Sequence, residues 1–142
     1  METNELHRGR LIDHLQLVVR DLEASRRFYQ AVFDVLEIPM GGSGDDYFWA
    51  DELFVSTASS PAAQGELTGR HHLAFQARNR AMVEAFHRAA LAHGGRDNGA
   101  PGERPYHPGY YGAFALDPDG NNIEAVYHGE ATRSAPSVKV TF

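Results

Sequence analysis

The chain has 142 residues, 42% of them apolar and 23% charged, with a formal charge of −6 and a pI near 5.7. That length holds one domain or two small repeats sharing a core, and no apolar run approaches the roughly 18 to 20 residues of a membrane span. The acidic balance, with Lys and Arg scattered, argues against nucleic acid and leaves a small molecule as the expected partner, while Cys 0 rules out disulfides, thiolate ligands and a cysteine nucleophile, so that a metal would take His and carboxylate.

The polar opening METNELHRGR carries no export signal, which predicts a cytoplasmic protein with a mobile leader over residues 1–10. Residues 11–19 alternate as a strand, with His14, Gln16 and Val18 on one face. Asp21 is placed to cap a helix over 22–33 whose apolar stripe is Leu22, Ser25, Phe28, Tyr29, Val32 and Phe33. Three short strands follow over 35–40, 47–50 and 52–57, the first two separated by a Gly- and Asp-rich turn at 41–46, so this half reads βαβββ. Trp49 is expected in its core.

A polar stretch at 59–68 is the expected joint, after which the pattern restarts. A strand over 71–77 leads to a helix capped by Asn79, running through Met82, Val83, Phe86, Ala89 and Ala90 and ended by Gly94 and Gly95. Sliding the chain on itself by 72 − 14 = 58 positions lays His72 on His14, Leu73 on Leu15, Arg78 on Arg20 and Phe86 on Phe28 without a gap, which an internal duplication explains. Residues 96–109 read as a Gly- and Pro-rich strand and loop bordering the site, with Arg104, Tyr106, His107 and Tyr110 set to contact a ligand or to rim the surface. The tail, 129–142, is either a loose arm or an added edge strand.

Between Leu116 and Asn122 the sequence Asp-Pro-Asp-Gly-Asn has the residues of a tight turn, so 111–127 reads as a hairpin. Strand alternation then sends Ile123, Ala125 and Tyr127 to one face and Asn122, Glu124 and Val126 to the other, where the carboxylate needs water, a partner or a cation. By the repeat, His14 and His72 hold equivalent places, opposite the helix-packing Leu15, Leu17, Leu73 and Phe75. Two imidazoles and a carboxylate converging in this way suit a divalent metal with open positions. His71 is expected to point away.

The stretches HLQLVVRDLEASRRFY at 14–29, HHLAF at 71–75 and DPDGNNIEAV at 117–126 together resemble the vicinal oxygen chelate superfamily, which includes glyoxalase I, extradiol dioxygenases, bleomycin-binding proteins and fosfomycin thiol transferases. The resemblance implies an α+β fold in which two βαβββ modules, at about 11–58 and 70–128, make one domain over 9–128 as a cupped mixed sheet around a central cleft. It implies His14, His72 and Glu124 as ligands of a divalent metal (Zn, Ni, Mn or Fe), with Gln16 and Phe54 on the cleft floor. The fourth ligand position of many glyoxalase-type members falls at Phe54, a departure that leaves Glu52 as a substitute acid. The phosphonate-binding cluster of the fosfomycin enzymes has no counterpart in GAPGERPYHPGYY. The expected activity is a metal-dependent, glyoxalase-like lyase or isomerase in which Glu124 and Glu52 are the acid-base groups, in a homodimer acting on a small oxygen-chelating substrate. The alternatives are an extradiol dioxygenase with Fe(II) and a metal-free drug-binding resistance protein.

Overall fold

The computed structural model describes residues 3–9, 11–63 and 65–142, with Leu6 and Ala62 described by backbone alone. Met1, Glu2 and Arg10 of the expected leader, and Gln64 of the expected joint, lie outside the described residues. Among the described residues ten strands and two α-helices run β1 (Glu5–Arg8), β2 (Leu15–Val18), α1 (Leu22–Val35), β3 (Gly42–Ser43), β4 (Tyr47–Ala50), β5 (Leu53–Ser56), β6 (His72–Gln76), α2 (Arg80–Ala92), β7 (Arg96–Glu103), β8 (Tyr111–Leu116), β9 (Asn122–Tyr127) and β10 (Val138–Thr141). They make an α+β fold with two four-stranded mixed sheets of the same order, β2-β5-β4-β3 and β6-β9-β8-β7, and a two-stranded ribbon. Each four-stranded sheet is a βαβββ succession. Among the described residues no helix is long and apolar enough to cross a membrane.

The chain divides into two compact units, one of Met1–Arg26, Ile38–Gly69 and Arg133–Phe142, the other of Arg27–Glu37 and Arg70–Thr132. In the first, β2 pairs in parallel with β5, and Leu17, Phe48 and Val55 are fully buried on one side of the sheet. Asp21 caps α1 as expected, its Oδ1 accepting the Ala24 N–H at 3.1 Å. The strand expected over 35–40 is displaced to 42–43, because α1 continues to Val35 and Glu37 then turns the chain at φ 60°. The expected leader contains a strand: β1 pairs antiparallel with β10, from Glu5 opposite Thr141 to Arg8 opposite Val138. The same pairing makes the tail an edge strand.

In the second unit β6 lies parallel to β9, which continues through the hairpin into β8 and β7. From Arg27 onward α1 groups with this unit, and all six stripe residues named above are buried. The physical reason is aromatic packing, since Phe33 and Tyr29 meet Phe75 of β6 at centroid distances of 5.2 and 6.5 Å. Burial of each such side chain contributes about 1.5–3 kcal/mol. Asn79 caps α2, accepting the Met82 N–H at 2.8 Å, and Gly94 leaves the helix at φ +96°.

Candidate metal centre

The hairpin turn fixes the site. Asp117 is 2% exposed, and its Oδ1 accepts the N–H groups of Asp119 and Asn121 at 2.9 and 2.8 Å. Its Oδ2 accepts the Tyr29 hydroxyl at 2.5 Å and the Asn121 amide at 2.9 Å. Burial, and then the charge of Asp117, push the Tyr29 hydroxyl well above its ordinary range. Gly120 supplies the positive φ, +86°, that closes the turn. Asn121 Oδ1 accepts the His71 N–H at 2.9 Å, and the His71 carbonyl accepts the Asn122 N–H at 2.7 Å. The start of β6 is thereby pinned to the start of β9.

Register then decides which side chains meet. His72 pairs with Asn122, and Ala74 and Phe114 both pair with Glu124, so His72, Asn122, Glu124 and Phe114 share one face. Ile123, Ala125, Ala113 and Ala115 lie fully buried on the other. Glu124 is only 2% exposed, a carboxylate that has to be satisfied by partners.

Those partners are specific. His72 Nδ1 lies 2.9 Å from the Asn122 carbonyl oxygen, an acceptor that a hydrogen on Nδ1 would satisfy. With the hydrogen on Nδ1, Nε2 presents its lone pair, and it faces Glu124 Oε1 at 3.1 Å. Two acceptors at that separation repel unless a proton or a cation lies between them. The other carboxylate oxygen, Oε2, accepts the Tyr110 hydroxyl. Burial first, then the hydrogen bond and charge of Glu124, raise the Tyr110 phenol above its ordinary range, which keeps it a donor. Gly112 leaves the space, since a Cβ there would come to 2.8 Å from Glu124 Oε2.

Around this pair stand the loop residues expected from sequence. Arg104 lies 5.3 Å from the Phe114 ring centre, and its guanidinium donates to the Ala100 carbonyl at 2.7 Å. Tyr106 and His107 stack edge-on to Tyr110 at 4.9 and 5.3 Å. His107 Nε2 is 2.8 Å from Nδ1 of His128, a residue the sequence reading missed although strand parity would put it on the face of Glu124. Asn122 was missed as the residue whose carbonyl faces His72 Nδ1. His71 is exposed and its backbone serves the turn.

In the first unit Gln16 and Phe54 are register partners, and Gln16 donates to Ser56 and Ser60 at 2.8 and 3.2 Å. Phe54 stacks flat on Tyr47 at 5.4 Å. Trp49 is half-buried on this same face rather than in the core. Glu52 lies in the tight turn before β5, half-buried, its carboxyl raised by burial and then by Asp51. His14 precedes β2, 65% exposed at its side chain, with Nδ1 2.7 Å from Asp13 Oδ1, and this contact lowers the Asp13 carboxyl. Among the described residues no three His, Cys, Asp or Glu side chains form a group ready to hold a metal. The His72 and Glu124 pair still fits a cation: an imidazole with one nitrogen facing a backbone carbonyl and the other a buried carboxylate oxygen is the usual arrangement around such an ion.

The chain belongs to the Glyoxalase/Bleomycin resistance protein/Dioxygenase superfamily, which it matches over residues 11–125. Among solved structures it is similar to a glyoxalase/bleomycin resistance protein from Albidiferax ferrireducens T118, at 30% identity and a TM-score of 0.71, covering 82% of this chain and 98% of that one. A glyoxalase-related enzyme from Fulvimarina pelagi shares the fold at 20% identity and TM-score 0.72, covering 94% and 98% of the two chains. A lactoylglutathione lyase from Agrobacterium tumefaciens does so at 20% identity and TM-score 0.58, covering 83% and 93%. No protein of curated function matches the chain by sequence.

Proposed function

We propose that this protein is a divalent-metal-dependent enzyme of the glyoxalase-like type, acting on a small substrate with two neighbouring oxygen atoms. The observation that carries the reading is the approach of His72 Nε2 to Glu124 Oε1, at 3.1 Å, with the other imidazole nitrogen 2.9 Å from the Asn122 carbonyl oxygen. When bound, the ion supplies Lewis acidity, stabilising negative charge that develops on substrate oxygen. His72 and Glu124 hold it, with His14, the repeat counterpart of His72, as third donor from this chain or from a second copy in a homodimer. The Glu124 carboxylate would also be an acceptor for a substrate proton. Tyr110 keeps the carboxylate oriented by donating to Oε2, and Glu52, its carboxyl raised by burial, is the second acid-base group. Gln16, Phe54, Arg104, Tyr106, His107 and Tyr110 bind substrate.

The rings of Phe114, Tyr106 and Tyr110 on the face that carries Glu124 favour one second reading, ring cleavage of an aromatic diol with Fe(II). Oxygen uptake with catechols separates it from lyase activity on hydroxy-carbonyl compounds. A metal-free drug-binding role separates from both by metal content. Protein purified without chelator is expected to carry divalent metal that Glu124→Ala lacks, and equal content in the two would sink the assignment.

A further inference from the structure

The first unit carries a pocket of about 410 Å³, within the range of small-molecule sites, lined by Glu5 and His7 of β1, Pro39, Met40, Trp49 and Asp51 among others. Trp49 sits there because residue 41 is glycine, whose N–H donates to the Trp49 carbonyl at 2.9 Å and where a Cβ would collide with the indole. Asp51 is held on the rim. Its backbone takes φ +45°, its Oδ1 accepts the His7 N–H at 3.2 Å, and its carbonyl accepts from the Arg8 guanidinium. Arg8 is thus engaged by that carbonyl and by Asp13 at 3.5 Å. Glu5 has Lys139 at 3.9 Å, a loose exposed pair. Among the described residues the lining holds two carboxylates and neither Lys nor Arg.

We propose that this pocket, distinct from the His72 and Glu124 pair, binds a small organic monocation, a protonated or quaternary amine with an apolar body. Indole faces attract such cations through the ring quadrupole, Met40 offers a polarisable apolar wall, and the carboxylates of Glu5 and Asp51 supply the charge. An anion placed in the pocket would meet those same two carboxylates. The β1 and β10 ribbon gains a role, since β1 brings Glu5 and His7 to the pocket and β10 holds β1 in place.

Trp49 is the only tryptophan, so the indole fluorescence comes from a residue that lines this pocket. Titration of the full chain with benzyltrimethylammonium is expected to give a saturable change with a Kd of about 1 mM. Benzoate at the same ionic strength is expected to give none. Glu5→Gln and Asp51→Asn, which keep side-chain shape and, at 51, tolerance of positive φ, are each expected to weaken the cation about five-fold. A response to benzoate equal to that of the cation, unchanged affinity in both variants, or no saturable response to benzyltrimethylammonium overturns the inference.

Discussion

His72 and Glu124 face each other from neighbouring parallel strands, Nε2 to Oε1 at 3.1 Å, with the other imidazole nitrogen spent on the Asn122 carbonyl. A cation on Nε2 requires the Nδ1–H tautomer. Long-range proton–nitrogen NMR on zinc-loaded protein is expected to show that form for His72, and an Nε2–H ring there would contradict the arrangement.

Tyr110 and Gly112 shape Glu124 from its other side. Tyr110→Phe withdraws a donor from a buried carboxylate and is expected to destabilise the fold by about 1–3 kcal/mol. Gly112→Ala places a methyl group 2.8 Å from Oε2, so the carboxylate has to shift. Its expected effect is about ten-fold weaker metal binding, whereas Gly69→Ala, with nothing within 4 Å of its Cβ, leaves affinity unchanged. Equal affinities for the two alanine variants would mean that the carboxylate position does not matter.

The Tyr29 and Asp117 bond gives a pH signature. The Tyr29 hydroxyl is raised in the fold, so its linked stability is whole below the unfolded value near about 10 and is lost as pH climbs through the folded value. Wild type is expected to lose stability above about pH 10 more steeply than Tyr29→Phe. At neutral pH the variant is expected to be less stable by about 1–3 kcal/mol, because Asp117 loses a donor. Denaturant unfolding at several pH values measures both, and parallel pH profiles would contradict the role given to this hydroxyl. Asp117→Ala, which removes the acceptor of four hydrogen bonds, is expected to destabilise by about 3 kcal/mol or more.

Much of this was legible in the sequence because it is written in local rules. The Asx-Pro-Asx-Gly turn, the Asn79 cap and two-residue alternation placed Glu124 and His72 on the face where they occur. What was not legible depends on contacts distant in sequence. The pairing of β1 with β10 was not legible, because nothing local in a four-residue strand names a partner at the other end of the chain. The aromatic packing of α1 on Phe75 assigns most of that helix to the second unit, against the order of the chain. Glu52 shares parity with Phe54 but lies in a turn, where parity no longer fixes direction.

The central claim is that His72 and Glu124 form the cation-binding pair. Calorimetric titration of the chelator-treated protein with Zn(II) or Mn(II) tests it most directly. Wild type is expected to bind at one tight site, and His72→Ala and Glu124→Ala are each expected to weaken that binding by about 100-fold or more while melting as cooperatively as wild type. Wild-type affinity retained in either variant would contradict the account.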